Sequence, residues 1–106
     1  MHPVSRIEII AASKEVQKIL NVLENVGVPG YTLIRDVIGK SDTGMVSDDV
    51  NLGSSKLSNV FIICYCSQDK VKPIVEQVKP ILNKYGGVCY LSDAMEIRSV
   101  HCVASL

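Results

Sequence analysis

The sequence predicts an α+β fold in which two amphipathic helices cover one face of a four-stranded sheet. Three observations predict this class. Two segments carry apolar residues at helical spacing, and strand-like segments lie before and after each of them. A polar insert of 17 residues, 40–56, separates the two halves of this repeated order. A length of 106 residues is that of one domain, which we expect to span residues 1–106.

The first half of the chain predicts a strand, a helix and a second strand. Residues 6–12, RIEIIAA, alternate imperfectly, as a strand does, and Ser13 is expected to cap the next helix with its side-chain oxygen. Gly27 is placed to end that helix in a left-handed conformation. Residues 31–39, YTLIRDVIG, predict the second strand. The helix is indicated by apolar residues that share one face: Val16, Ile19, Leu20, Leu23 and Val26.

The insert, KSDTGMVSDDVNLGSSK, is the segment in which we expect function. A connection this long without predicted secondary structure is uncommon in a compact domain, and such loops often bind something. Met45 and Val46 place two apolar residues in a polar setting, as a docking tip would. Asp42, Asp48 and Asp49 make the loop acidic, but their spacing does not match a calcium-binding loop, which favours solvated charge.

The second half repeats the order of the first. Residues 57–66 are apolar at both odd and even positions, which predicts a third strand that is covered on both faces. A second amphipathic helix follows, with Ser67 or Asp69 as its N-cap. Pro80 removes a backbone donor from the helix interior and is expected to kink the last turns.

The C-terminal part predicts the last strands of the sheet. Residues 85–87, Tyr-Gly-Gly, end the second helix, and residues 88–91, VCYL, predict the fourth strand. After a bend near residues 92–93, AMEIRSV at residues 94–100 predicts an extra short C-terminal strand. The whole order is that of a ferredoxin-like βαββαβ sandwich, in which both helices lie on one face of the sheet. Because the third strand is apolar on the bare face too, we expect these faces to pack together in a homo-oligomer.

Composition excludes several classes of function. The 11 basic and 11 acidic residues cancel without forming a basic cluster, so nucleic-acid binding is disfavoured. No apolar run approaches the length of a membrane span and the first residues lack a cleavage pattern, so we expect a soluble cytoplasmic protein. No nucleophile–base or paired-carboxylate arrangement emerges, so an enzyme is not expected. Packed reduced thiols are the interpretation favoured for Cys64, Cys66, Cys89 and Cys102, and an exposed, oxidisable thiol is the alternative for Cys102 near the chain end.

Two stretches resemble a known family. Residues 30–39, GYTLIRDVIG, followed by the long insert, resemble the segment that leads into the T-loop of PII signalling proteins. Residues 84–90, KYGGVCY, and 94–97, AMEI, resemble the B-loop and following strand of PII-like proteins associated with bicarbonate transporters and carboxysomes. The resemblance extends over nearly the whole chain, from Arg6 to Cys102.

This resemblance implies a non-enzymatic homotrimer that binds an adenine nucleotide (AMP, ADP, ATP or a cyclic form) between subunits, with a small anion such as bicarbonate as a second ligand. The T-loop would report binding to a transporter or metabolic enzyme, and a transporter would bring the trimer to the membrane surface. Glycines in such a cleft let the backbone approach phosphate oxygens closely. By position, the implied ligand-binding residues are Thr32, Gly39, Lys40, Gly86, Gly87 and Val88. The implied partner-binding loop residues are Asp42, Met45, Val46, Asp48 and Asp49.

The insert departs from the family pattern. It lacks the modified Tyr and the Arg/Gln pair of typical PII loops, and it has no arginine to bind a nucleotide phosphate. The glycines also have an ordinary interpretation as turn residues, because all of them fall at the ends of elements. The alternative function is therefore a CutA-type trimer for metal tolerance, or a purely structural ferredoxin-fold oligomer, in which the loop only connects two strands.

Overall fold

A computed structural model describes residues 1–37, 40–41, 44–45 and 58–98 of the chain. Apart from two short strands in the insert, the elements in these ranges follow the predicted order strand, helix, strand, strand, helix, strand. They are β1 (His2–Ala12), α1 (Val16–Val26), β2 (Tyr31–Val37), β3 (Lys40–Ser41), β4 (Gly44–Met45), β5 (Asn59–Cys66), α2 (Val71–Tyr85) and β6 (Val88–Glu96). Of the described helices, neither is long and apolar enough to cross a membrane.

Four of these strands form one antiparallel sheet. Their order across the sheet is β2-β5-β1-β6, so β2 and β6 are the two edges. This arrangement confirms the predicted α+β class and the ferredoxin-like order of elements. The short strands β3 and β4 pair with each other, Lys40 with Met45 and Ser41 with Gly44, and this hairpin in the insert was not predicted.

The core lies between the sheet and the two helices. Ile7, Ile9 and Ala11 alternate along β1 and face the helices, and none of them is more than 1% exposed. They pair with Cys64, Ile62 and Val60 of β5, which face the same side. From the helices, Ile19 and Leu23 of α1 and Ile74 and Val78 of α2 complete the buried cluster. Burying one such side chain stabilises the fold by roughly 1.5–3 kcal/mol, so the periodic stripes identified in the sequence hold the helices in place.

The prediction that Ser13 caps α1 is wrong. Residues 13–15 form a single 3₁₀ turn before α1, and no side chain caps it. The Ser13 hydroxyl instead lies 2.8 Å from both the backbone oxygen and the hydroxyl of Ser58, and the Ser13 amide donates to the same backbone oxygen at 2.9 Å. Because β1 and β5 stop pairing at Ala12 and Asn59, Ser13 ties the two strands together just beyond their last pair.

Replacing Ser13 with alanine is expected to lower the free energy of unfolding by about 1 kcal/mol, since a half-buried hydrogen bond is lost and the Ser58 groups lose a partner. Urea unfolding of the variant measures this change. Lys14→Ala at the exposed neighbouring position is the matched control, for which a change within about 0.5 kcal/mol is expected. Equal effects of both substitutions would contradict a specific tie at Ser13.

The start of α2 also differs from the prediction. A 3₁₀ turn at Gln68–Lys70 precedes the helix, with Ser67 at its N-cap position, and no side chain makes a capping bond. The Ser67 side chain is instead hydrogen-bonded to the Asp69 carboxylate and is the main cause that lowers the pKa of Asp69. α2 continues through Pro80 to Tyr85. The predicted end of α1 is confirmed, because Gly27 has φ +88° and its amide donates to Leu23 and Glu24.

The C-terminal strand is one uninterrupted element. Its register with β1 runs without a shift from the Val88–Ile10 pair to the Glu96–His2 pair. The predicted bend near residues 92–93 is therefore wrong, because the ladder with the long strand β1 keeps this segment extended. Residues 94–96 belong to β6 and not to a separate final strand, and residues 99–106 lie outside the described residues.

The described cysteines are packed free thiols, as the sequence predicted. Cys64 and Cys66 are buried on the helix side of β5 and Cys89 is partly buried. Burial raises the pKa of the Cys64 thiol to about 12, with a smaller contribution from Cys66 beside it. A thiol with so high a pKa is protonated at neutral pH and is a poor nucleophile. Cys102 lies outside the described residues.

Candidate functional site

The residues expected to bind a ligand lie on the two edges of the sheet. Thr32 is exposed on β2, opposite Ile63 and on the face away from the helices. Val88 begins β6 on the same face, opposite Ile10. Because β5 and β1 lie between these edges, three strand spacings of about 4.8 Å separate them, roughly 14 Å across the sheet. Within one protomer, the structure therefore does not bring Thr32 together with the segment before β6.

The start of the insert after β2 and the Gly86-Gly87 connection before β6 nevertheless lie at the same end of the sheet. Val37, the last residue of β2, pairs with Asn59, which in turn pairs with Ala12 at the end of β1. β6 begins at this end too, since Val88 pairs with Ile10. The insert thus leaves the sheet at the end where the Gly86-Gly87 segment enters it.

Gly86 and Gly87 differ in what surrounds them. Both have positive φ angles, +89° and +126°, that residues with side chains rarely adopt. A Cβ atom on Gly87 would lie 2.4 Å from the Ile10 carbonyl oxygen and 2.9 Å from Leu82 Cδ2, whereas one on Gly86 would meet nothing within 4 Å. Gly87 is thus a site of close contact between the α2–β6 connection and β1, and Gly86 faces open space where a ligand has room.

A cluster of charged and aromatic side chains lies directly before these glycines. Lys18 of α1 donates a 3.0 Å hydrogen bond from Nζ to the hydroxyl of Tyr85, the last residue of α2. The same ammonium lies 2.8 Å from Glu15 Oε2 and 4.3 Å from the centroid of the Tyr85 ring. Lys84 Nζ lies 5.3 Å from that centroid. We call Glu15, Lys18, Lys84 and Tyr85 the lysine–tyrosine cluster.

The groups in this cluster alter each other's ionisation. The Glu15 carboxylate and the Tyr85 hydroxyl raise the pKa of Lys18, so its ammonium stays charged throughout the neutral range. Lys18 and then Lys84 lower the pKa of the Tyr85 phenol. The sequence did not predict the cluster, because 67 residues separate Lys18 from Tyr85 and only the packing of α1 against α2 joins them.

The face of the sheet opposite the helices carries a line of apolar side chains. Ile34, Phe61, Ile10 and Val88 occupy one register position across all four strands, and we call them the apolar row. Ile34 is 44% exposed, and the nearby Tyr90 is 57% exposed. An ion pair between Arg6 Nε and Glu8 Oε2, at 2.6 Å, lies on the same face. Within one chain, this face has no covering layer among the described residues.

A second polar group lies at the opposite end of the sheet. His2 Nε2 and an Arg98 guanidinium nitrogen each lie 2.8 Å from a different oxygen of Glu96. These residues line a small cleft together with Tyr65 and Ser67. The Arg98 bond and then His2 lower the pKa of Glu96. Eight residues of β6 separate this group from the Gly86-Gly87 segment, roughly 27 Å along the strand, so Arg98 is remote from those glycines in the same protomer.

The loop residues expected to contact a partner are described only in small part. Met45 belongs to β4 and pairs with Lys40, the first residue of β3. The other members of the two predicted sets lie outside the described residues: Gly39, Asp42, Val46, Asp48 and Asp49. Their roles stay predictions. In the ranges that the structure describes, no three His, Cys, Asp or Glu side chains come together as metal ligands.

Solved structures similar to this fold come from PII-like proteins. CPII, a nitrogen regulatory PII-like protein from Thiomonas intermedia, bound to ADP, AMP and bicarbonate, matches with a TM-score of 0.81 and 25% sequence identity. The match covers 92% of this chain and 91% of that chain. CPII with ADP and bicarbonate matches with a TM-score of 0.78 and 26% identity, over the same shares of the two chains.

A more distant structure supports the fold alone. A PII-like signalling protein from Thermus thermophilus matches with a TM-score of 0.72 at 14% identity, over 91% of each chain. No curated protein sequence matches the chain. The family model for nitrogen regulatory protein P-II, however, matches residues 4–101, which include both helices and all four strands of the sheet except the first two residues of β1. The chain therefore belongs to the nitrogen regulatory protein P-II family, whose members are signalling proteins and not enzymes.

Proposed function

We propose that this PII-like regulatory protein forms a homotrimer that binds an adenine nucleotide in clefts between subunits and signals to a partner through its T-loop. The observation that carries the proposal is that Thr32 lies on one edge strand, β2, whereas Gly86 lies in the connection that enters the other edge strand, β6. One chain cannot close a pocket from residues about 14 Å apart across a sheet. Two copies can, if the β2 edge of one subunit faces the β6 edge of its neighbour.

The bare sheet face supports assembly. The apolar row crosses all four strands, and its central residues Phe61 and Ile10 are only partly covered within one chain. Covering such a surface with copies of itself removes apolar area from water at about 25 cal/mol per Å². Cyclic symmetry closes such an assembly, and three copies around one axis would bring the row of each subunit toward the centre.

The nucleotide is supported by what CPII binds. CPII holds ADP, AMP and bicarbonate, and it aligns with 92% of this chain at 25% identity. By position we propose that the open space at Gly86 admits the phosphates and that Gly87 allows the connection to pack closely on β1. A small anion such as bicarbonate would be the second ligand. The proposed ligand-binding set remains Thr32, Gly39, Lys40, Gly86, Gly87 and Val88.

The partner would be a protein that recognises the T-loop. We propose a cytoplasmic regulator whose loop docks on a transporter or a metabolic enzyme, with peripheral membrane association in the first case. Docking would use the apolar tip of the loop, framed by its acidic residues. The loop residues proposed for this contact are Asp42, Met45, Val46, Asp48 and Asp49.

Nucleotide binding is tested by thermal unfolding of the purified protein with AMP, ADP, ATP and a cyclic adenine nucleotide, each with and without bicarbonate. A ligand that binds only the native state, at 100 times its Kd, adds about 2.7 kcal/mol, so we expect Tm to rise by about 5–15 °C with at least one adenine nucleotide. GTP is the control for non-specific phosphate effects and should give a smaller shift. Absence of any adenine-nucleotide shift, with a rise on adding copper or zinc, would contradict the proposal and favour the CutA-type alternative.

A further inference from the structure

The lysine–tyrosine cluster joins three segments at the end of the sheet where the ligand is proposed to bind. Glu15 lies in the turn before α1, Lys18 in the first turn of α1, and Tyr85 at the last position of α2. The Lys18 ammonium reaches the hydroxyl of Tyr85 at 3.0 Å and the Glu15 carboxylate at 2.8 Å. The residue after Tyr85 is Gly86, which begins the connection to β6.

At the Lys18 end, this bridge is anchored by an ion pair with Glu15. Glu15 is 9% exposed, and a carboxylate so deeply placed strongly favours a charged partner close by. Lys18 is that partner: its ammonium lies 2.8 Å from Glu15 Oε2, although the Lys18 side chain is 52% exposed. The Tyr85 ring makes two contacts with the same Lys18 nitrogen, because its hydroxyl accepts a hydrogen bond from Nζ and its centroid lies 4.3 Å from Nζ.

The Tyr85 end of the bridge adjoins the Gly-Gly connection to β6. Glycines populate a wide range of backbone angles, so a Gly-Gly connection tends to move unless its neighbours are held. On the far side, Gly87 packs against the Ile10 carbonyl and Val88 enters the ladder with β1. On the near side, the Gly86 amide donates to Leu82 at 2.8 Å, and Tyr85 is the last side chain before the open space.

We infer that Tyr85 and Lys18 are positioning residues for the nucleotide site, because their hydrogen bond holds the end of α2 and so sets the direction in which the Gly86 backbone meets the ligand. The inference rests on the proposed nucleotide function and adds a residue pair to it. Holding a binding segment in its bound conformation lowers the entropy lost on association, so loss of the bond weakens binding without removing a ligand contact.

The direct test is Tyr85→Phe, which keeps the ring over Lys18 and removes only the hydroxyl that Lys18 bonds. One hydrogen bond of ordinary net strength corresponds to about a 2- to 10-fold change in an equilibrium constant, so we expect the Kd for ADP or AMP to rise by about that factor. Calorimetric titration of the trimer measures it. Unfolding without nucleotide should give nearly the wild-type Tm, since Tyr85 is 40% exposed and its ring is retained.

Two lysine variants and a control complete the design. Lys18→Met should weaken nucleotide binding at least as much as Tyr85→Phe, and Lys18→Arg, which keeps a cationic donor, should restore most of the affinity. Combining Tyr85→Phe with Lys18→Met should cost less than the sum of the two, as expected of one shared bond. Lys72→Met in the first turn of α2 is the control; the described residues offer Lys72 no hydrogen-bond or ion-pair partner, and wild-type affinity is expected.

The outcomes separate this inference from the proposed function. If the wild-type protein binds ADP or AMP and Tyr85→Phe binds equally well, the positioning role is overturned while the nucleotide function stands. If the wild-type protein binds no adenine nucleotide, the proposed function is wrong, and the positioning role that rests on it is overturned with it. Additive effects of Tyr85→Phe and Lys18→Met would likewise overturn the shared bond. An additional readout is amide hydrogen exchange at residues 86–88, which should become faster in Tyr85→Phe if the segment is held through that bond.

Discussion

Gly87→Ala is expected to destabilise the fold by about 2–5 kcal/mol, even though Gly87 belongs to the proposed ligand-binding set. Two costs combine: a Cβ at this position would come within 2.4 Å of the Ile10 carbonyl oxygen, and the φ angle of +126° is strained for any residue with a side chain. Because the obstacle is backbone and not a flexible side chain, the β1–β6 contact itself must shift. Urea unfolding measures the loss, and a lowered melting temperature should accompany it.

Gly86→Ala is the matched comparison. Its backbone, φ +89° and ψ 164°, is also strained for alanine, at about 1–3 kcal/mol, but no atom lies within 4 Å of the new Cβ. Gly86→Ala should therefore lower the free energy of unfolding less than Gly87→Ala does. Because the Gly86→Ala variant stays folded, its loss of nucleotide binding can be measured directly. Equal stability losses at both positions would contradict the close approach at Gly87. If a Gly87 variant loses nucleotide binding, the first explanation is the disturbed packing of the α2–β6 connection on β1 and not the loss of a ligand contact.

Phe61→Asp is expected to convert the proposed homotrimer into monomers. Phe61 is central in the apolar row, paired with Ile34 on one side and Ile10 on the other. In a trimer built on this face, a carboxylate at position 61 would be desolvated without a partner at a cost of several kcal/mol per subunit, and three such groups would meet near one axis. Sedimentation velocity at micromolar concentration measures the change in mass. Nucleotide binding should be lost together with assembly, because each proposed cleft needs two subunits.

The control for this substitution is Gln77→Asp on the exposed outer surface of α2. It adds the same charge to the chain away from the apolar row, so a mass unchanged from the wild-type protein is expected. A wild-type chain that sediments as a monomer, or a Phe61→Asp variant that still sediments with the wild-type oligomeric mass, would contradict assembly through the bare face.

The elements that local pattern determines were predictable from the sequence. Val16 to Val26 carry one helical stripe, and the structure ends α1 at that residue with Gly27 left-handed, as a C-cap glycine predicts. The apolar run at the third strand became β5, buried on the helix side and partly exposed on the other. Each of these signals depends on residues within a few positions of one another, so the sequence alone is enough to recognise it.

The parts that depend on distant residues were not predictable. Ser13 is a typical capping residue, but Ser58, 45 residues away, competes for its hydroxyl and takes it. Gly87 has the sequence pattern of an ordinary turn glycine, because its close approach to the Ile10 carbonyl involves a residue far away in the chain. The bend expected at residues 92–93 is absent because the long strand β1 imposes its register on the entire partner strand. The ligand-binding role of Thr32 was predicted only by family resemblance and stays a prediction, since the groups proposed to face it come from another copy of the chain.

Because Thr32 and the Gly86 connection lie toward opposite edges of one sheet, each ligand bound to such a protein would involve more than one subunit. In a closed ring of three, every chain would contribute one flank, the β2 edge, to one pocket and its other flank, the β6 edge, to the next. No chain would then hold a ligand alone; each would share in two. Filling the first cleft would restrain two subunits at once and leave the third joined to both, so communication around the ring would follow from geometry alone, without a dedicated relay of side chains.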